Sequence, residues 1–375
     1  MSSTTTHCSS NTGRTFRRIL PVLALALGFS LFLANPAQAQ TEPPCLALTA
    51  DCTEWQDLES AEQEILLYRS FALDAVNPEI TRALLLVHGG NRNAAGSYQT
   101  ALAAAFLVNG LKDTLIIAPR FASNTGSGCR DTLAEQEANW GCEDRQADSW
   151  RNGSTALNNP SITSYDYIDA MLQRLANKAN FPNLRHVVIA GHSGGGQFTL
   201  RYAMASEVPD TLDLTTSYVV ANADALVYFD ELRPTSSAYP VTAGPQSYAV
   251  VPPAELFRPF NDAGNCTGFN HWPYGLEGRS GYTARFNDEE LKQRLASRSV
   301  NYMMGSQDIL PMYGLDSTCP AMAQGPSRLA RGLAFAQYMN DNYGAQHRTS
   351  VGQGCGHNER CLFTDLFGLR LLFPN

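Results

Sequence analysis

Residues 187–198, VVIAGHSGGGQF, decide the fold. An apolar, β-branched run leads directly into Ser193, which has Gly191 before it and three glycines after it. The segment from Gly191 to Gly195 fits the pattern G-x-S-x-G, and good helix formers follow it. In a tight turn from strand to helix, side chains at 191 and 195 would clash, and the serine adopts a rarely populated backbone conformation. We therefore predict a nucleophilic serine exposed above a buried strand.

The N-terminus has the three parts of a secretory signal peptide. Arginines precede an apolar run at residues 19–33, and Ala37 and Ala39 supply small residues at the cleavage positions. We predict that residues 1–39 are removed after Ala39 and that the mature protein is secreted or periplasmic. The apolar run has about 15 residues, fewer than the ~20 of a membrane-spanning helix, so we expect no stable membrane anchor after cleavage. The adjacent Arg17 and Arg18 leave twin-arginine export open.

The charge of the exported chain narrows the choice of partners. Cleavage removes three basic residues and no acidic one, which leaves 24 basic against 35 acidic residues and a net charge of −11. This charge disfavours nucleic acid and anionic membranes as partners. The sequence does not indicate an oligomeric state.

Cysteine usage agrees with export. Of nine cysteines, only Cys8 lies in the predicted signal peptide, and an even number in an oxidising compartment suggests disulfides. Eight cysteines allow 105 connectivities, among which local spacing favours Cys45–Cys52, Cys129–Cys142, Cys355–Cys361 and, as the remainder, Cys266–Cys319. The segment CGHNERC at 355–361 can also be interpreted as metal ligands, but closed zinc sites need four ligands at recognised spacings and no partner pair is present. We predict no metal site.

Short apolar runs alternate with helical patterns. The runs end in glycine or polar residues and are typical of strands buried on both faces of a parallel sheet; they are residues 83–88, 114–118, 186–190, 217–221 and 299–304. Apolar positions at steps of three and four from Tyr165 to Ala179 predict a helix capped by Ser164, and 197–205 and 328–339 predict two more. This alternation indicates an α/β fold with helices on both faces of a mostly parallel sheet.

Residues from about 229 to 297 interrupt the alternation. They are rich in proline and aromatic residues and are too long for a plain connection. We interpret them as an insertion over one end of the sheet, either a surface elaboration or a lid or substrate wall. The insertion belongs to a single domain that spans residues 40–375.

A serine hydroxyl needs a base and an orienting acid. Among the histidines of the exported chain, His357 is the candidate base because it lies in a loop after the last predicted strand, residues 346–352. Asp308 is the favoured acid because it follows the predicted strand 299–304. Asp316 is the competing candidate, and Asp224 ranks third.

The tetrahedral intermediate of acyl transfer also needs hydrogen-bond donors for its oxyanion. One donor is expected to be the backbone N–H of Gly194, the residue after the nucleophile. The other is expected from the loop after an early strand, where Gly90 and Asn91 are the candidates.

Four segments in this order resemble the α/β-hydrolase superfamily. They are VHGGN at 87–91, AGHSGG at 190–195, GSQD at 305–308 and GCGHN at 354–358. The resemblance extends over nearly all of residues 83–372 and is nearest to secreted serine hydrolases and esterases of undefined substrate. It implies an eight-stranded, mostly parallel sheet with Ser193 as nucleophile, Asp308 as orienting acid and His357 as base.

These observations predict a secreted serine hydrolase that cleaves carboxylic esters through an acyl-enzyme and needs no cofactor. The substrate is expected to be a small-molecule or polymeric ester, and the charge and the aromatic insertion favour neutral, apolar or aromatic acyl groups. An amidase or peptidase with the same triad and a polyester depolymerase are alternatives, since a fold does not settle the leaving group. A non-catalytic binding protein on a hydrolase fold is the less favoured one.

Overall fold

The computed structural model describes residues 43–59, 61–126, 128–142, 149–235, 256–312 and 314–374. The predicted signal peptide lies outside these residues. So does the middle of the predicted insertion, at 236–255.

Eight described strands form one sheet. Its order in space is β1-β2-β4-β3-β5-β6-β7-β8, where the strands are β1 (Thr53–Leu58), β2 (Ala61–Arg69), β3 (Arg82–Val87), β4 (Thr114–Pro119), β5 (His186–His192), β6 (Thr215–Ala221), β7 (Val300–Gly305) and β8 (Arg348–Gly352). β1 pairs with β2, and β2 with β4, in antiparallel fashion. All other pairs in this sheet are parallel. The mostly parallel, eight-stranded sheet is confirmed.

Helices connect the strands. The described α-helices are α1 (Ala94–Leu107), α2 (Ser164–Leu175), α3 (Gly194–Ala205), α4 (Val208–Thr211), α5 (Asp288–Ser297), α6 (Cys319–Met322), α7 (Arg328–Tyr343), α8 (Glu359–Thr364) and α9 (Leu366–Leu372). None of them is long and apolar enough to cross a membrane.

The sheet is covered on both faces. Leu85 and Val87 of β3 pack into a core shared with α2, α3 and α7, whereas Leu84 and Leu86 pack into a second core with α1 and α9. Successive side chains of a strand point to opposite faces, so a continuous apolar run is what a doubly covered strand requires. The hydrophobic effect contributes about 1.5–3 kcal/mol for each large side chain buried in this way.

Two details differ from the sequence prediction. The cap of α2 is Thr163, not Ser164: the Thr163 side chain accepts from the Asp166 N–H, and the Asp166 carboxylate accepts from the Thr163 N–H at 2.8 Å. Ser164 instead donates to the carbonyl of Trp150. The helix also ends at Leu175, four residues before Ala179.

The N-terminal strands β1 and β2 were not predicted. Most of their residues are only partly buried and several are charged, so they lack the continuous apolar run of the central strands.

The described parts of the predicted insertion contain little regular structure. Leu232–Pro234 pairs with Phe257–Pro259 in a short antiparallel ladder. The segment ends in α5, whose Leu291 and Leu295 are fully buried in the core. Its interpretation as an insertion, either a surface elaboration or a lid or substrate wall, stays a prediction.

Candidate active site

Ser193 occupies the turn between β5 and α3. Its φ of 58° and ψ of −118° lie in a region that non-glycine residues rarely adopt. The backbone N–H of Ser193 donates to the carbonyl of Ala221 at the end of β6, across 2.9 Å. The serine is therefore held in a strained conformation at the carboxyl edge of the sheet, partly exposed to solvent.

The glycines around Ser193 allow close backbone approaches. A Cβ at Gly191 would overlap the backbone of Gly195, and a Cβ at Gly195 would overlap the carbonyls of Val87 and His88. The predicted clash at both positions is confirmed. α3 begins at Gly194, so the positive end of a twelve-residue helix lies beside the serine.

His357 and Asp308 lie together at the same edge of the sheet. Nδ1 of His357 is 2.8 Å from Oδ2 of Asp308, and both side chains are nearly buried. Because a carboxylate oxygen can only accept, Nδ1 is the donor in this contact, and in the neutral ring Nε2 then presents its lone pair. Asp316 instead accepts hydrogen bonds from Tyr274 and Thr318. Of the two candidate acids, the structure brings Asp308 to the histidine.

A buried arginine holds Asp308 from its other side. Nη1 of Arg328 lies 3.3 Å from Oδ1 of Asp308, and Nε of the same side chain donates to Asp224. The Arg328 side chain is 0% exposed. Asp224, the third candidate acid, therefore belongs to a buried Asp–Arg–Asp cluster together with Asp308.

The loop after β3 reaches the serine. A Cβ at Gly89 would lie 3.6 Å from Cβ of Ser193, and a Cβ at Gly194 would lie 3.2 Å from the backbone nitrogen of Gly90. The two backbone segments expected to supply oxyanion donors are thus adjacent. Arg92 fixes this loop, since its Nη1 donates to the carbonyl of Gly90 at 2.8 Å while its Nε pairs with Asp131.

Two other histidines near the serine, His88 and His192, are buried. His88 is fully buried, with Nδ1 2.9 Å from the carbonyl of Gly89 and Nε2 accepting from the Phe121 N–H. Burial lowers the pKa of His88 to about 4. Burial, followed by the neighbouring His357 and Arg328, also lowers the pKa of His192 well below its usual range. Both rings are held neutral.

All four predicted disulfides are present, the three favoured by local spacing and the remaining pair, Cys266–Cys319. The Cys355–Cys361 bridge closes the loop that carries His357, so these cysteines are not metal ligands. Within the described residues, no group of three or more His, Cys, Asp or Glu side chains is arranged to hold a metal ion.

The serine and the histidine line one cavity of about 590 Å³. Its described lining residues carry either no side chain or a polar one; they are Gly89, Gly90, Asn91, Asn93, Gly96, Ser97, Thr100, Arg151, His192, Ser193, Asp224, Gly314, His357, Asn358, Glu359 and Arg360. The expectation of a site for apolar or aromatic acyl groups is not supported by this part of the lining.

Sequence reasoning missed three charged residues of the cavity, Arg151, Glu359 and Arg360. Arg151 is buried and packs against the serine turn and the Gly90 loop: a Cβ at Gly90 would lie 2.7 Å from its Nη2. Glu359 accepts a hydrogen bond from Ser97 at 3.0 Å. Its only sequence signal was its place two residues after His357. Arg151 had no signal, because no motif connects it to the serine.

Comparisons with known proteins support the fold. No protein-family model matches the sequence, and no curated protein matches it. Among solved structures, the chain is similar to poly(aspartic acid) hydrolase-1 from Sphingomonas sp. KT-1, with a TM-score of 0.57, 18% identity and coverage of 88% of this chain and 99% of that one. It is also similar to LpqC, a poly(3-hydroxybutyrate) depolymerase from Bordetella parapertussis, with a TM-score of 0.53, 21% identity and coverage of 86% and 92%.

At these identities, the similarity is one of fold. Together with the strand order and the position of the serine turn, it defines the class: the protein has the α/β-hydrolase fold.

Proposed function

We propose that the protein is a secreted serine hydrolase that cleaves carboxylic esters. The observation that carries the proposal is the 2.8 Å contact between Asp308 and His357, a histidine that lines one cavity with the strained Ser193. A nucleophile, a base in the required tautomer and an acid that orients the base are the three groups that ester cleavage on this scaffold needs.

The reaction proceeds in two halves. Nε2 of His357 takes the proton of the Ser193 hydroxyl as the oxygen attacks the ester carbonyl, and then gives this proton to the departing alcohol. Water, activated by the same nitrogen, hydrolyses the acyl-enzyme and releases the acid. Asp308 stabilises the imidazolium that forms in each half.

The negative charge of each tetrahedral intermediate is stabilised at the junction of two backbone segments. Gly194 provides one N–H at the start of α3, and Gly90 or Asn91 provides the second. Each such donor is worth on the order of 3 kcal/mol in the transition state.

Export is part of the proposal. Four disulfides are typical of an oxidising compartment, which agrees with removal of residues 1–39 as a signal peptide. N-terminal sequencing of the protein secreted by a bacterial host tests cleavage after Ala39.

The activity is tested with the wild-type protein and Ser193→Ala on p-nitrophenyl esters of graded acyl length. We expect hydrolysis by the wild type and its loss in the variant. The same acyl groups are also presented to the protein as anilides. Acyl groups that can form a polyester are presented as a polyester film as well. Faster cleavage of anilides would favour an amidase or peptidase, and release of soluble products from a film would favour a depolymerase.

A further inference from the structure

Five polar residues line the cavity and have no role in the proposed reaction. They are Ser97 and Thr100 of α1, Glu359 and Arg360 at the start of α8, and Asn93, the N-cap of α1. These five residues are called the polar wall below.

Residues of α1 and α8 contact each other in the polar wall. The side chain of Asn93 caps α1 by accepting from the Gly96 N–H at 2.9 Å. Ser97 and Thr100 are buried on that helix, and Ser97 donates to Oε2 of Glu359 on the opposite side at 3.0 Å. Burial raises the pKa of Glu359 to about 7, although Ser97 and Thr100 hydrogen bonds oppose this rise. A carboxyl group is thus kept inside the cavity at a desolvation cost.

The polar wall begins close to His357 in the chain. The base gives its proton to the alcohol oxygen, so the alcohol part of the ester must be next to His357. Glu359 and Arg360 follow His357 by two and three residues, and all three line the same cavity. We therefore assign the polar wall to the alcohol part of a bound ester.

Hydroxyl groups are the substituents that match this wall. A carboxyl, two hydroxyls, an amide and a guanidinium offer both acceptors and donors. An aliphatic or aromatic alcohol would exclude water from the Glu359 carboxyl and the Arg360 guanidinium without replacing its hydrogen bonds, and a site built to bond a substrate hydroxyl strongly rejects an analogue that lacks it.

We propose that the preferred substrates are esters whose alcohol part is polyhydroxylated, as in acylated sugars and polyols. This inference rests on the proposed esterase function and adds the alcohol specificity of the same site.

The test compares two acetates of similar ring size. A mono-O-acetylated methyl glucoside carries free hydroxyls on its alcohol part, and cyclohexyl acetate carries none. We expect kcat/KM to be at least tenfold higher for the sugar ester, since each neutral hydrogen bond is worth about a factor of two to ten. p-Nitrophenyl acetate serves as the general measure of esterase activity.

Variants of Glu359 test whether the polar wall causes the preference for the sugar ester. Glu359→Leu should reduce the sugar-to-cyclohexyl ratio about tenfold or more, and Glu359→Gln, which keeps the shape and an acceptor for Ser97, should reduce it less. The ratio cancels any general loss of activity. Glu62→Leu removes an exposed carboxylate outside the cavity and should leave the ratio unchanged.

The outcomes separate the two proposals. Equal or faster hydrolysis of cyclohexyl acetate, or an unchanged ratio in Glu359→Leu, would overturn the alcohol specificity and leave the esterase function standing. A wild-type protein that hydrolyses none of the three acetates would overturn both.

Discussion

Arg328 holds Asp308 in place from the side opposite His357, with 3.3 Å between Nη1 and Oδ1. The same guanidinium pairs with Asp224, so one buried cation serves two buried carboxylates. Removing one partner of a buried ion cluster leaves the others charged and uncompensated, which typically costs about 3–5 kcal/mol.

We therefore expect Arg328→Met to lower the free energy of unfolding by about 3–5 kcal/mol. Urea unfolding monitored by circular dichroism measures this change. Combining it with Asp224→Asn removes one of the stranded charges and should restore part of the loss. If Arg328→Met were as stable as the wild type, the cluster would not contribute as described.

We predict a large loss of activity from substitution of Asp308 and a small change from substitution of Asp316. Asp308→Asn should lower kcat by about 10⁴-fold, because the amide favours the wrong tautomer of His357. Asp316→Asn should change kcat less than tenfold, because its carboxylate contacts Tyr274 and Thr318 rather than the histidine. Kinetics with p-nitrophenyl esters and melting temperatures for both variants separate catalytic from structural loss. A larger loss of kcat in Asp316→Asn than in Asp308→Asn would identify Asp316 as the orienting acid.

The serine turn should not tolerate a side chain at position 191. Gly191→Ala places its Cβ into the backbone of Gly195, and we expect destabilisation by more than about 3 kcal/mol or failure to fold. Gly264→Ala is the matched control, because a Cβ there would meet nothing within 4 Å; its stability should stay within about 0.5 kcal/mol. A soluble, stable Gly191→Ala variant would contradict the close approach of the two backbone segments.

Because the His347 ring is buried, we predict that the folded protein loses stability in acid. Burial lowers its pKa from 6.5 to about 4, with Nε2 bonded to the carbonyl of Leu295 and Nδ1 near the hydroxyl of Tyr302. The unfolded chain takes up a proton below pH ~6.5 that the folded chain accepts only near pH ~4. Stability contributed by the neutral ring is therefore present above pH ~6.5 and is lost as the pH falls towards ~4.

The full size of this contribution is about 3 kcal/mol, since one pKa unit corresponds to about 1.4 kcal/mol. His347→Gln keeps a donor and an acceptor but does not titrate, so its free energy of unfolding should fall less than that of the wild type between pH 7 and pH 4.5. Urea unfolding of both proteins at the two pH values measures the difference. Identical pH dependence would show that His347 is not held neutral.

The central part of the fold could be predicted from the sequence because its signals are local. The strand of residues 186–190, the glycines around Ser193 and the helix after them are consecutive in the chain, and each follows from sterics or burial over a few residues. The Cys355–Cys361 bridge was equally local, with only five residues between its cysteines.

The rest of the site depends on contacts between distant residues. Arg328 lies about 100 residues from Asp224, and Glu359 meets Ser97 across more than 260 residues. No spacing rule connects such pairs, so neither the ion cluster nor the polar wall could be predicted. The contact that brings Asp308 rather than Asp316 to His357 is likewise a tertiary one.

The central claim is that Ser193 is an activated nucleophile, and covalent labelling tests it most directly. The folded protein is treated with a fluorophosphonate probe, and the labelled peptide is identified by mass spectrometry. We predict stoichiometric labelling at Ser193 that is abolished in Ser193→Ala and after unfolding in urea. A folded wild-type protein that stays unlabelled, or that is labelled at another residue, would contradict the account.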